Sequence, residues 1–176
     1  MLVLGLVSVP LAGGRLGALA HLRLQLVPVA IGVLAVQVLV VNVFPGGSHS
    51  LHAVLNVLTY GVLAMVMAAN LHIPGLAVIA FGGACNAAAI VANGGVMPAS
   101  ADALRTAGMT PDPAGYTNSS VAAHPGFLGD IFAVPSWVPA ANVFSVGDLL
   151  LVAGAWILLH RVCRRESAPA PRPLTA

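Results

Sequence analysis

Lysine is absent from this chain, and charge of either sign is scarce: seven arginines and five acids among 176 residues, or 7 % charged. Soluble domains carry roughly 25 %. A soluble fold of this size could not cover its surface with so few charges. With 59 % apolar residues and a mean hydropathy of +0.96, the bilayer is the expected solvent. The formal charge of +2 comes from arginines that cluster at the ends of apolar runs, which reads as membrane topology and not as a nucleic-acid surface. There are two cysteines, Cys85 inside one apolar run and Cys163 at the far end of another, so no disulfide framework is implied. No Cys-x-x-Cys pair, phosphate loop or nucleophile elbow is present. Residues 1–13 lack a charged leading segment and an Ala-x-Ala exit, so they are not expected to be a cleaved signal peptide.

What is present is a succession of apolar runs. About 20 apolar residues cross a bilayer core, and four runs are that long: about 27–44, 51–70, 73–92 and 143–162. The run from Met1 to Ala12 reaches a span only if its helix continues past Gly13-Gly14 toward Ala20, with Arg15 snorkelling. The expected fold is all-α: a polytopic transmembrane bundle of five helices, or four if residues 1–20 lie at the interface. Residues 1–165 form one membrane domain, and the proline-rich end, 166–176, is expected to be a disordered cytoplasmic tail. Arg15 and Arg23 precede the second run, and Arg161, Arg164, Arg165 and Arg172 follow the last, whereas loop 93–142 holds Arg105 alone. The positive-inside rule then puts the loop outside and the C-terminus in the cytoplasm, as in a multi-pass protein of the bacterial plasma membrane.

The loop carries structure signals of its own. Ser100 to Gly108 has a cap-type start and a glycine stop, predicting a two-turn helix. Thr110-Pro-Asp-Pro-Ala-Gly115 is turn chemistry. Residues 126–134 turn apolar again, predicting a short helix or re-entrant piece. Asn118-Ser119-Ser120 matches a glycosylation sequon, a pattern common by chance. The small-residue run Gly82-Gly83-Ala84-Cys85-Asn86-Ala87-Ala88-Ala89 predicts a helix central to the bundle, with Gly83 at a close approach, since small side chains let helices meet in lipid.

Two acids stand in apolar surroundings. Asp130 lies in Phe127-Leu-Gly-Asp130-Ile-Phe, and Asp148 opens the last run in Ser145-Val-Gly-Asp148-Leu-Leu. An ionisable group at membrane depth is a functional candidate because leaving it unpaired in hydrocarbon costs several kcal/mol. The two are expected to converge, close enough to share a proton or a water, as candidate catalytic residues. Asn86, Asn93, Asn142 and Ser145 would orient them, and Asn42, Asn56 and Tyr60 would complete a polar collar. Two alternatives stand beside this. Ser145-x-x-Asp148 fits a helix cap, in which the acid faces the positive end of the helix dipole. His49-x-x-His52 has ligand-like spacing that Asp130 could complete. Neither a metal nor a cofactor is expected.

Two resemblances arise at these residues. Asn93-Gly-Gly-Val-Met97-Pro98-Ala-Ser100, Ala103-Leu104, Gly108, Phe127-Leu-Gly-Asp130, Pro135 and Ser145-Val-Gly-Asp148 resemble an uncharacterised, domain-of-unknown-function family of small bacterial membrane proteins. That family brings no activity. More locally, Asp130-Ile-Phe, Pro139-Ala-Ala-Asn142, Asp148 and Gly154 are similar in order to the aspartic enzyme lipoprotein signal peptidase. Here Asn142 precedes Asp148 by six residues, not three, and the Gly-Asn-x-x-Asp-Arg motif is missing. That likeness implies two carboxylates over a water, one protonated and one ionised. The expected function is an integral membrane protein with an accessory or scaffold role, the alternatives being an aspartic-peptidase-like enzyme and a small-solute or proton-handling transporter. The expected partners are the bilayer and another membrane protein, not nucleic acid. A membrane-impermeant thiol reagent added from outside should modify Ser119→Cys and spare Ser167→Cys; the reverse pattern would overturn the orientation.

Overall fold

The computed structural model describes residues 2–39, 49–110, 119–122 and 124–165. Asn42, the side chain of His49, the 111–115 turn, Asn118 of the sequon and the 166–176 tail lie outside the described residues. The chain is mostly helical. Helices α1 (Leu2–Leu11), α2 (Val27–Val38), α3 (His49–Ala69), α4 (Leu76–Ala92) and α6 (Val146–Arg165) surround or extend the main bundle, and α5 (Ala101–Ala107) belongs to a small ordered cap. The cap also holds strands β1 (Met97–Ala99), β2 (Ser119–Val121), β3 (Phe132–Val134) and β4 (Asn142–Phe144).

Among the described residues, two helices are long and apolar enough to cross a membrane: Leu51–Ala69, with mean hydropathy 1.8, and Val146–Arg164, with 1.6. At 1.5 Å per residue α3 and α6 reach about 30 Å, the thickness of a hydrocarbon core. The 17 residues of α4 reach only about 26 Å. Its start lies three residues later than the apolar run suggested, because Gly75 adopts φ 89° and Pro74 precedes it. The last helix begins at Val146, not 143, because residues 142–144 pair as a strand.

The expected helix over 1–20 is two pieces. Helix α1 stops at Leu11 because Gly13, at φ 76°, takes the left-handed conformation that reverses the chain. Gly13 N–H donates to the Pro10 carbonyl and Gly14 N–H to that of Val9, the paired bonds of a glycine-terminated helix end. Arg15 N–H then donates to the Cys163 carbonyl at 3.1 Å, and a 3-10 turn follows at Leu16–His21. Val9, Ala18, Leu159 and Cys163 form the buried seam beneath it. Helix α1 therefore runs beside only the last turns of α6.

The main contact is between α4 and α6, which run antiparallel. Gly75 and Gly82 on one side face Gly154 and Gly147 on the other, each pair seven residues apart. A Cβ on Gly82 would lie 2.6 Å from the Gly147 carbonyl, and one on Gly154 would lie 2.7 Å from the Ile79 nitrogen. Backbone meets backbone at both levels. The expectation of a central small-residue helix thus holds for its face through Gly82, while Gly83 must be reassigned. Nothing lies within 4 Å of a Cβ there, because position 83 is turned about 100° from position 82 on a helix. It lines an apolar cavity of about 440 Å³ with Leu34, Tyr60, Leu63, Met67 and Ala87.

The cap is built on backbone pairing. β1 and β2 are parallel, β3 and β4 antiparallel, and Ala99 bridges to Asp130. Residues 132–134 are thus a strand, not the expected helix or re-entrant piece. Phe132 pairs with Phe144 across the ladder, their rings stacked at 5.4 Å, so the aromatic pair sets the register. Helix α5, ended by Gly108 at φ 68°, packs Ala103, Leu104 and Ala107 against Ala99 and Val143.

Gly82→Leu should lower detergent melting stability by about 1–3 kcal/mol or more, since the added atoms meet rigid backbone. Gly83→Ala should leave it unchanged or slightly higher, as alanine favours helix and the site is open. Equal losses at the two positions would remove the α4–α6 contact as the organising one.

Candidate functional site: a polar collar between helices and cap

The close approach of α4 and α6 decides what meets at the cap end. One turn beyond Gly82, Asn86 is buried against the start of α6. Its Nδ2 donates to Asp148 Oδ1 at 2.8 Å, and Ser145 Oγ lies 2.8 Å from its Oδ1. Ser145 is wholly buried and begins α6. Its backbone N–H donates to Asp148 Oδ2 at 2.9 Å, and its Oγ accepts the Asp148 backbone N–H at 3.0 Å. This reciprocal pair is a capping box, satisfying two donors that the helix start would leave orphaned. The carboxylate also sits at the positive end of the helix dipole. Gly147 is required between them, because a Cβ there would overlap Asn86 Oδ1.

Asp130 is held separately, in the cap. It is 5 % exposed, and Ser119 Oγ donates to its Oδ2 at 2.7 Å. Its backbone N–H donates to the Pro98 carbonyl and its carbonyl accepts from Ser100 N–H, so the residue is stitched to the middle of β1 and to the residue that follows it. A Cβ at Gly129 would fall 2.6 Å from the Pro98 carbonyl, so this approach also depends on glycine. Burial pushes the Asp130 carboxyl above its ordinary value of about 3.8; the Ser119 bond opposes that shift, and repulsion from Asp148 adds to it. The two acids are therefore close enough to feel one another, while each has its own set of hydrogen-bond partners.

The expected orienting residues divide. Asn86 and Ser145 do bind Asp148. Asn93 caps the C-terminal end of α4 and donates to the Val96 carbonyl and to Ser120 Oγ, tying the helix to β1 and β2 instead of to a carboxylate. Asn142 does not join the site: its side chain is exposed on β4, opposite Val134, because strand alternation buries Val143 instead. Asn56 is buried and donates to the Gly95 carbonyl, so α3 is fastened to the same turn. Tyr60 packs beside Ala89, Ile90 and Met97. Among the described residues no three His, Cys, Asp or Glu side chains are grouped to hold a metal ion.

Ser119 is the partner that sequence reading missed as such. In the sequence it stands within a sequon, but its bond to Asp130 depends on a parallel pairing of β1 with β2 that no local pattern announces. Residues 21–160 match a family model whose description is Family of unknown function (DUF5317), and the chain belongs to that family. No curated protein and no solved structure matches it.

The raised pKa gives a signed expectation. In the pH range above 3.8 the folded chain holds the Asp130 proton more tightly than the unfolded chain. The stability from this group is therefore complete below that value and is lost as pH rises through the folded pKa. Asp130→Asn should remove that decline, flattening melting temperature against pH from 3.8 upward. Superimposable profiles for the two proteins would overturn the burial argument.

Proposed function

We propose that this member of DUF5317 is an integral membrane protein with an accessory or scaffold role, in which the polar collar ties an ordered extracytoplasmic cap to a helix bundle. The observation that carries the reading is the engagement of Asp148. One of its oxygens accepts from Asn86 and the other from the Ser145 backbone N–H. An acid that activates water needs an oxygen aimed at that water; here each oxygen already accepts a bond that closes the helix start against its neighbour.

The membrane reading rests on composition, on the two long apolar helices and on the arginines. Arg15, Arg23, Arg161 and Arg164 lie around the end of α6 opposite the collar, whereas Arg105 is in the cap, paired with Asp102 at 2.7 Å. That asymmetry supports an orientation with the cap outside and the arginine-rich end in the cytoplasm. Helices α3 and α6 are the spanning candidates, α2 starts beside the end of α3, where Gln25 bonds Asn70, and α1 packs beside the end of α6. The cap leaves Phe127 and Trp137 70 % and 83 % exposed, a surface suited to a membrane-protein partner or the lipid interface.

One observation favours a second reading, an aspartic-peptidase-like enzyme. Asp130 has a raised pKa and lies within electrostatic reach of Asp148, the relation by which one of two acids keeps a proton.

The readings separate on two carboxylate variants. As scaffold, Asp148→Ala and Ser145→Ala should each destabilise the protein, by about 1–3 kcal/mol where Asn86 loses its acceptor and about 1 kcal/mol where the cap is lost. Protease sensitivity of residues 93–142 should rise with them. If Asp148→Asn instead keeps the wild-type melting temperature, while it and Asp130→Asn each abolish cleavage of a membrane-embedded peptide substrate, the scaffold reading fails and the enzyme takes its place.

A further inference from the structure

The end of the bundle opposite the collar holds a second feature. A cavity of about 360 Å³ lies between the 3-10 turn, the α3–α4 turn and α6. Ile73, Pro74 and Val162 give it an apolar floor, while His21, Arg23 and His72 stand around it. Among the described residues none of these three side chains has a hydrogen-bond or ionic partner, and the ion pair that does form, Arg105–Asp102, is in the cap. Of the five acids, Asp102, Asp112, Asp130 and Asp148 belong to the cap or the collar, and Glu166 lies outside the described residues. Three basic groups thus share one concavity with no described carboxylate to answer them.

The walls are cross-tied, so the backbone segments that carry these groups are held together before any ligand arrives. Asn70, wholly buried, accepts the Gln25 backbone N–H at 2.7 Å and donates to the Gln25 carbonyl at 3.0 Å. That clamp joins the segment after the 3-10 turn to the end of α3, and Nδ2 also donates to the Val66 carbonyl. The Arg15 bond to the Cys163 carbonyl joins the start of the same turn to α6. Pre-set geometry lowers the ordering cost of binding.

We infer that this cavity binds a phosphate anion, either the phosphodiester of an anionic lipid headgroup or free phosphate. The Arg23 guanidinium offers a planar fork matched to two phosphate oxygens. Each imidazole offers at least one N–H donor in either protonation state. The apolar floor meets what a headgroup carries and free phosphate lacks, the glycerol and first acyl carbons. The site lies level with the ends of the two membrane-length helices, where headgroups would be; only this lipid arm rests on the membrane reading.

The test is thermal melting of the full chain in neutral detergent, titrated with phosphatidylglycerol, with phosphatidylcholine and separately with inorganic phosphate. Phosphatidylglycerol should raise the melting temperature and phosphatidylcholine should not. Arg23→Gln should weaken the half-maximal phosphatidylglycerol concentration about fivefold, the effect of one basic residue at an anionic surface, and His72→Gln should weaken it in the same direction. Arg105→Gln, in the cap, should match wild type. A response to inorganic phosphate with the same dependence on Arg23 would keep the site and name the free anion as its ligand. The inference is overturned if neither anion stabilises the protein, if Arg23→Gln and His72→Gln respond as wild type does, or if Arg105→Gln weakens binding equally. These outcomes leave the collar untouched, so failure here is distinct from failure of the scaffold reading.

Discussion

Helices α4 and α6 touch through their backbones at two levels, Gly75 against Gly154 and Gly82 against Gly147, and the rest of the architecture follows from that approach. A side chain at any of these positions would push the axes apart. Separation would carry Asn86 away from Ser145 and Asp148, where its bonds are 2.8 Å long. The polar collar is thus a consequence of apolar packing, because a short amide can bridge two helices only if glycine lets them meet. Close packing and interhelical hydrogen bonds, the interactions by which helices associate in lipid, both occur along this one seam.

The same device recurs where the cap joins the bundle. Gly95 leaves no room for a side chain against Ala53 and offers its carbonyl to Asn56, while Gly129 lies against the Pro98 carbonyl and positions Asp130. Glycine before or within Asn93-Gly-Gly, Leu-Gly-Asp130 and Val-Gly-Asp148 permits backbone contact, and the polar residue beside it secures the junction. These motifs therefore have a physical account as joints. It also explains why two costly acids are tolerated: one closes a helix start, and the other, with its pKa raised by burial, is fixed by Ser119 and by β1.

The two ends of α6 have opposite chemistry. At its start, carboxylates, amides and hydroxyls satisfy one another internally. At its end, basic side chains surround a cavity without described counter-charges. A self-satisfied cluster resists change, whereas the Arg23 and imidazole donors around the cavity have no described acceptor. The mechanical and the recognition elements are thereby separated along the helix, with the glycine seam between them.

Composition alone settled that this chain is apolar and poor in charge, the lengths of its apolar runs pointed to helices, and local rules placed their punctuation. The Gly108 end of α5 and the Ser145-x-x-Asp148 cap are readable because capping involves residues three or four apart, whereas Ser100 stands at the start of α5 without a side-chain cap bond. Other features were beyond local pattern. Gly82 and Gly83 are identical as letters, and only the direction of α6 made one a contact and the other a cavity wall. Asn142 looked like a ligand of Asp148 until strand pairing turned it outward. The apolar stretch around residue 132 became a strand because Phe144 was there to pair with it. Ser119 met Asp130, and Asn70 clamped Gln25, across 11 and 45 residues of sequence. Periodicity specifies which residues share a face, but which faces meet is decided by packing, through contacts that no local run of residues contains.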